Sequence, residues 1–344
     1  MSLFLSQSSF SSLQTDPGKI ALPPVEVLKD WYRQMLYIRR FEELCAKIYT
    51  SGIIRGFCHL CIGQEAVPVS VCAARDPKDT VITSYRCHGH AITCGLSGKE
   101  VLAELMGRQG GSSKGKGGSM HIFSPQGRFY GGHGIVGASS ALGTGMAFAH
   151  KYKNEDAVCC AFFGDGAANQ GQWFESMNMA RLWKLPVLYI VENNGYSMGT
   201  AVERGCAGAD QLWRRGEAFN IPGYRCSGDD VVHLYTIFKI LLQEVRYTSC
   251  PIVLEIDTYR FKGHSMSDPG HYRSKESLEQ AKDNRDPLTL LENRLIGHYS
   301  VSSNDIETVQ DQIKGEIRQL AKDSESWNLP DLYELDQDVW IETP

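Results

Sequence analysis

Residues 157 to 196 read AVCCAFFGDGAANQGQWFESMNMARLWKLPVLYIVENNGY. Ala157 to Phe163 and Pro186 to Val191 are short continuous apolar runs, and between them Trp173, Met177 and Ala180 recur at i, i+4 and i+7. That order predicts strand, turn, helix, strand. Neither run alternates with polar residues, so both strands are expected to be covered on both faces, as parallel strands joined by a helix are. Ligands of such sheets sit beyond the carboxyl ends of the strands. The first end presents Asp165 between two glycines; the second presents Glu192-Asn193-Asn194-Gly195-Tyr196. Each half has a plainer alternative, a tight turn at GDG and a two-residue hairpin at Asn194-Gly195. Together they offer a carboxylate, an amide oxygen and a nearby backbone carbonyl, the hard oxygen ligands that Mg²⁺ or Ca²⁺ selects. One carboxylate cannot fill an octahedral site, and phosphate oxygens would complete it. Gly166 and Ala167 are expected to open the helix and turn its N–H groups to the same anion, so a metal-bridged diphosphate is the expected guest.

Outward from this block, Leu28 to Ile48 carries apolar residues at helical spacing, Gly107 to Gly134 reads as a long polar loop, and Ala138 to Ala149 as a helix of small residues. Asp229 to Arg246 predicts another helix, Pro251 to Asp257 a third buried strand, and the stretch after Asp286-Pro287 a polar, helical end. The 344 residues are 42% hydrophobic and 22% charged, ordinary globular usage that excludes disorder as the main state. Lys+Arg 35 against Asp+Glu 40 leaves a net charge of −5, poorly suited to nucleic acid or an anionic membrane, and neither is expected as a partner. Eleven scattered cysteines read as free thiols of a reducing compartment; Cys58 and Cys61 lack a second matched pair, so zinc is not expected. No stretch reaches the length of a membrane span. The first twenty residues are Ser-rich without Arg or a basic start, and a cytoplasmic location is expected.

The spacing of Gly164-Asp165-Gly166 and Asn193-Asn194, with residues 167 to 192 between, resembles the thiamine diphosphate motif. The resemblance extends to Phe57-Cys58-His59-Leu60 with Gly63-Gln64-Glu65-Ala66, to Tyr85-Arg86 with His88-Gly89, and to Lys114 through His121. It continues through Gly131 to Gly137, GDGAANQGQ at Gly164 to Gln172, and YRFKGHSMSDPG at Tyr259 to Gly270. Over roughly residues 25 to 290 the chain is thus similar to the alpha-subunit family of the pyruvate dehydrogenase E1 component, thiamine diphosphate-dependent 2-oxo acid dehydrogenases. The family implies an α/β thiamine diphosphate-binding fold, a mostly parallel sheet with helices on both faces plus helical N- and C-terminal extensions. Its parts would be a flexible arm at 1–24, the binding domain at 25–290 and a helical extension at 291–344.

Carried to matching positions, the resemblance implies that Asp165, Asn194 and the backbone carbonyl of Tyr196 bind Mg²⁺ while Gly166 and Ala167 approach the diphosphate. Tyr85 and Arg86 would reach the phosphates and the substrate. Gly134 and Val136 would cradle the aminopyrimidine. His264 would contact the phosphates and steer substrate and acyl transfer, and His59 would stand beside the substrate and stabilise developing negative charge, these two being the catalytic candidates. His88, His90 and His121 are expected in packing or loop roles. The implied reaction is oxidative decarboxylation of pyruvate with reductive acetylation of the lipoyl domain of dihydrolipoyl acetyltransferase. Thiamine enzymes draw an activating glutamate from a pyrimidine-binding domain, and only one α/β unit is visible, so a beta subunit in an α₂β₂ heterotetramer is expected to complete the site. Acetoin dehydrogenase and branched-chain 2-oxo acid dehydrogenase alpha subunits are the alternatives within the class, and a Mg-nucleotide regulatory module outside it; Tyr85-Arg86 and Phe57 to Leu60 favour pyruvate. Ser265 stands where mitochondrial relatives carry a phosphorylation switch, but Ala201 replaces a second such site and Asp268 to Arg273 lacks a third, which implies a bacterial enzyme without the kinase.

Overall fold

The computed structural model describes residues 21 to 340, so nearly all of the expected arm at 1–24 and the last four residues of the C-terminal extension lie outside the described residues. The chain runs α1 (Val25–Thr50), α2 (Ala66–Ala74), β1 (Thr80–Ser84), α3 (His88–Thr93), α4 (Gly98–Leu105), β2 (Phe129–His133), α5 (Ala138–Tyr152), β3 (Cys159–Gly164), α6 (Gly171–Leu182) and β4 (Val187–Asn193). It continues with β5 (Tyr196–Ser197), β6 (Thr200–Ala201), α7 (Val202–Gly205), β7 (Gly223–Ser227), α8 (Val231–Thr248), β8 (Ile252–Asp257), α9 (Lys275–Arg285), α10 (Pro287–Tyr299) and α11 (Ser303–Ser324). Six strands form one sheet in the order β2-β1-β3-β4-β8-β7, every neighbouring pair parallel. The short β5 and β6 pair antiparallel apart from it.

Side-chain alternation explains why β3 and β4 are apolar throughout. Cys159, Ala161 and Phe163 with Val187, Tyr189 and Val191 pack with Trp173, Met177 and Ala180 of α6. Cys160, Phe162, Leu188 and Ile190 point the other way, into a core with α1, α2, α8, α10 and α11. Each strand residue is therefore buried whichever face it takes. Small residues let α5 lie close: a Cβ on Gly143 would come within 2.6 Å of the Ala161 methyl. Caps fix the helix starts, with Asp230 accepting from the N–H groups of Val232 and His233 at α8, and Asp286 from Leu288 before the Pro287 first turn of α10.

Three strands of the sheet escape the sequence reading, as does the short β5–β6 pair apart from it. TVITS, FYGGH and GYRCS (β1, β2 and β7) are five residues each and mix Thr, Gly, Arg or His with apolar positions, so none forms an apolar run. β2 lies inside the stretch read as loop from Gly107 to Gly134, which is corrected accordingly. The rest of that stretch is wound about Glu104, a fully buried carboxylate on α4. Its oxygens accept from the backbone N–H groups of Ser113 (2.7 Å), Gly115 (2.9 Å), Gly117 (2.6 Å) and Gly118 (3.1 Å). A second correction concerns the turn after β3: Ala167–Asn169 form a 3-10 turn and the α-helix begins at Gly171, so Gly166 and Ala167 do not open it. Among the described residues no helix is long and apolar enough to cross a membrane.

Glu104→Ala strips four N–H groups of a charged acceptor, and is expected to cost about 3 kcal/mol. The check is a lowered denaturation midpoint together with new protease cleavage within residues 107 to 119.

Candidate active site

Five of the six strands of the sheet deliver site residues from their carboxyl ends: β1 leads to Tyr85 and Arg86, β2 to Gly134 and Val136, β3 to Asp165, β4 to Asn194, and β8 to Arg260 and His264. Register explains the central pair. Gly164 lies opposite Glu192 in the β3–β4 ladder, so the next residues, Asp165 and Asn193-Asn194, emerge side by side. Asn194 Nδ2 donates to Asp165 Oδ1 at 3.3 Å and Ser197 Oγ donates to Oδ2 at 2.9 Å. The two side chains thus meet, as the sequence requires. The Asn194 amide oxygen accepts from Arg273 Nη2 at 3.2 Å, and the same nitrogen donates to the Asn194 carbonyl at 2.9 Å. Tyr196 sits on β5 with its ring 4.8 Å from the Arg273 guanidinium. Gly166 packs under Ser197, whose Oγ would lie 2.2 Å from an added Cβ, so any larger residue there displaces the hydroxyl that holds Asp165.

Asp165 is 1% exposed, and burial holds its carboxyl above the ordinary carboxylate range, only in part offset by the Ser197 and Asn194 bonds. Around it lies unpaired positive charge. Arg86 donates to the carbonyls of Leu60 (2.5 Å) and His264 (2.8 Å), and Arg260, 1% exposed, to the carbonyl of Lys262 (3.1 Å) and the hydroxyl of Tyr272 (3.2 Å). Neither guanidinium forms an ion pair among the described residues. Burial, and then the neighbouring Arg260, lower Arg86 to about 10.

His59, Tyr85 and His264 form one aromatic group: His59 and Tyr85 ring centroids are 4.4 Å apart, His59 and His264 5.3 Å, and the Tyr85 hydroxyl lies 3.4 Å from His264 Nε2. Burial, then the charge of Arg86, depress His59 to about 2 and His264 to about 4, so both rings are neutral at neutral pH. The Nδ1 atoms of both are buried without a partner. Behind them Glu42 Oε2 meets His88 Nδ1 at 2.9 Å, His88 Nε2 meets Ser119 Oγ at 2.8 Å, and Ser119 accepts from the His59 N–H at 3.2 Å. His88 is therefore a buried positioning group. His90 packs on Phe162, and His121 stands beside Gly134, its Nε2 3.3 Å from where a Cβ would be. Val136 is 41% exposed at the mouth, its carbonyl bound by Gln172 Nε2 at 2.9 Å.

Sequence reasoning missed Arg260, Ser197, Arg273 and Ser119. Arg260 had one available signal, an arginine just past a buried strand; the other three, on β5, in a loop and in a 3-10 turn, come together only through the fold. The residues present fit a divalent cation carried by a diphosphate: a buried carboxylate beside a half-buried amide, a buried and a half-buried guanidinium without acids, and two imidazole nitrogens without partners. No cluster of three or more His, Cys, Asp or Glu side chains among the described residues could hold a metal unaided, so anion oxygens are needed.

Comparison with known proteins agrees with this chemistry. Residues 33 to 332 match the family model "Dehydrogenase E1 component". The chain is 50% identical over 310 residues to the pyruvate dehydrogenase E1 component subunit alpha of Rhizobium meliloti, covering 90% of this chain and 89% of that one. The protein of the same name from Rickettsia felis is 49% identical over 324 residues, with 94% and 98% covered. The somatic mitochondrial form from Bos taurus is 45% identical over 315 residues, with 91% and 80% covered.

Because the folded protein holds the Asp165 carboxyl above its unfolded value, the stability this group contributes is present in acid and lost as pH rises through the raised value. In the ligand-free protein Asp165→Asn is therefore expected to unfold at a higher temperature than the parent at neutral pH, the gap closing in acid. Thermal unfolding across pH reads it out.

Proposed function

The chain belongs to the dehydrogenase E1 component family, and from that premise we propose that it is the alpha subunit of a pyruvate dehydrogenase E1 component that oxidatively decarboxylates pyruvate with thiamine diphosphate. The observation that carries this reading is the meeting of Asp165 and Asn194 beneath two guanidiniums that have no acid partner. Acetoin, branched-chain and nucleotide-regulatory readings are not favoured, since relatives matched over nine-tenths of the chain carry the pyruvate name. Bound thiamine diphosphate supplies a carbon nucleophile and an electron sink.

The chain's own residues bind and orient. Asp165, the amide oxygen of Asn194 and the carbonyl of Tyr196 would hold Mg²⁺, with Gly166 and Ala167 against the diphosphate. For the Asn194 oxygen to serve there, its amide would have to turn end for end, because its N–H end faces Asp165 and its oxygen accepts from Arg273. Tyr85, Arg86 and His264 would take the phosphates, and to these we add Arg260. The Tyr85 hydroxyl can donate to His264 Nε2, which leaves the proton on Nδ1 as a donor. His59, kept neutral by burial and by Arg86, would offer its free ring nitrogen to charge developing on pyruvate. Gly134 and Val136 would bear the aminopyrimidine.

Its activating carboxylate would come from a beta subunit in an α₂β₂ assembly. A face suited to that partner runs along α5 and α6: Phe148 and Tyr152 near the end of α5, and Leu182 and Trp183 at the end of α6, are exposed, with Phe148 5.7 Å from Trp183. Ile135 and Val136 continue it to the cofactor mouth. The lipoyl domain of the acetyltransferase would receive the acetyl group. Eleven free thiols suit a bacterial cytoplasmic setting.

This chain alone is expected to leave pyruvate untouched in a thiamine diphosphate- and Mg²⁺-dependent decarboxylation assay and to gain activity with a beta subunit; turnover by the solitary chain would refute the reading. In that reconstituted enzyme Asp165→Ala should lose more than about 100-fold in kcat/KM. Ser265 is 7% exposed beside His264, its hydroxyl 2.9 Å from that of Ser267. Ser265→Glu should raise the thiamine diphosphate concentration for half activity on the order of 10-fold, by adding negative charge beside the phosphates.

A further inference from the structure

Nine of the eleven cysteines are buried; Cys72 and Cys250 are only partly so. Cys72 has a second property. Its sulfur lies 3.3 Å from the Cys94 sulfur, although 22 positions separate the two along the chain. Cys72 stands in the last turn of α2, and Cys94 immediately follows α3, two helices that pack against each other. A disulfide needs about 2.05 Å between sulfurs, so closure asks for a movement of little more than 1 Å, within reach of χ1 rotation at the two helix ends.

Two surroundings bear on reactivity. Cys72 lines a cavity of about 540 Å³ together with Trp31, Gln34, Ala73, Thr93 and Tyr235, which gives small solutes a path to it. Arg75, one helix end away, spends its guanidinium on the carbonyls of Asp79 (2.8 Å) and Gly127 (2.9 Å) and has no carboxylate partner among the described residues. The hydrogen bond from Cys94, aided by the Arg75 charge, holds the Cys72 thiol below its ordinary range, and the same pairing raises Cys94. The more exposed Cys72 is placed to attack, with buried Cys94 behind it as a resolving thiol. Burial pushes up seven of the other buried thiols, which slows their reaction.

We propose that Cys72 and Cys94 form a reversible redox modification site, oxidised by a small hydroperoxide to a disulfide that joins α2 to α3. The Cys72 thiolate attacks a peroxide oxygen, the O–O bond breaks, and sulfenic acid forms with release of water or the corresponding alcohol. The Cys94 sulfur then attacks that sulfenic sulfur, the S–O bond breaks, and the second oxygen leaves as water. Two thiols have lost two electrons and the peroxide has gained them. The linked α3 begins with His88, two residues past Arg86, so the cross-link fastens the helix that follows the phosphate-facing segment.

The test uses the protein assembled with its beta subunit, treated with a few equivalents of hydrogen peroxide and mapped by mass spectrometry without reduction. The expected product is a Cys72–Cys94 linked peptide pair, reversed by dithiothreitol, formed at least about tenfold faster than oxidation of any of the other nine cysteines. Cys94→Ser should leave Cys72 trapped as a sulfenic acid that a dimedone probe captures, and Cys72→Ser should abolish both products. Earlier linkage of a different pair, no dimedone adduct on Cys72 in the Cys94→Ser protein, or oxidation of Cys72 straight to sulfinic acid in the parent chain would overturn the proposal.

Discussion

Two guanidiniums without acids, Arg260 buried and Arg86 half-buried, set the terms for the rest of the site. Water cannot reach Arg260, and carbonyls and a tyrosine hydroxyl are weak substitutes for an anion. Desolvating such a group costs several kcal/mol unless an opposite charge arrives. The fold tolerates that deficit because it is large elsewhere, with both faces of the central strands packed. Burial, and then the same positive field, keep His59 and His264 uncharged, so what looks like two bases is a pair of neutral hydrogen-bonding rings. Asp165 lies in that field as a buried carboxyl, itself disfavoured by burial. A diphosphate carrying a divalent cation would meet the unpaired guanidiniums and the buried carboxyl together.

The centre of the fold was legible because its signals are local. Ala157 to Val191 carries strand, helix and strand as unbroken apolar or periodic runs, and each has one physical cause, burial on both faces of a parallel sheet. β1, β2 and β7 were not legible. β1 and β2 fall next to the site, where Thr83, Gly131 and Gly132 are chosen for close packing and hydrogen bonding rather than for apolar area. Within the site, Asp165 and Asn194 could be paired from spacing because adjacent parallel strands bring equivalent ends together. Arg260 and Ser119 could not, since one arrives from a strand nearly a hundred residues later and the other from a glycine-rich loop whose shape depends on Glu104.

That loop shows how a segment without regular structure can still be rigid. Four amides converge on one carboxylate, and the chain leaves this knot at Ser119, which holds His88 on one side and the backbone of His59 on the other. Lys114 and Lys116 of the same loop reach the C-terminal segment at Asp338, in exposed pairs that add little stability but give the loop an outer tether. The placement of His59 is thus decided on α4, on α1 through Glu42, and in the loop, none of which touches the carboxyl edge of the sheet directly.

The aromatic face formed by α5 and the end of α6 carries a consequence for the living cell. A polypeptide that leaves the ribosome with Phe148, Tyr152, Leu182 and Trp183 turned to water is greasy until something covers it. In the proposed assembly, surplus copies would cling to one another or be cleared by quality control, so synthesis of this polypeptide would have to keep pace with that of its companion.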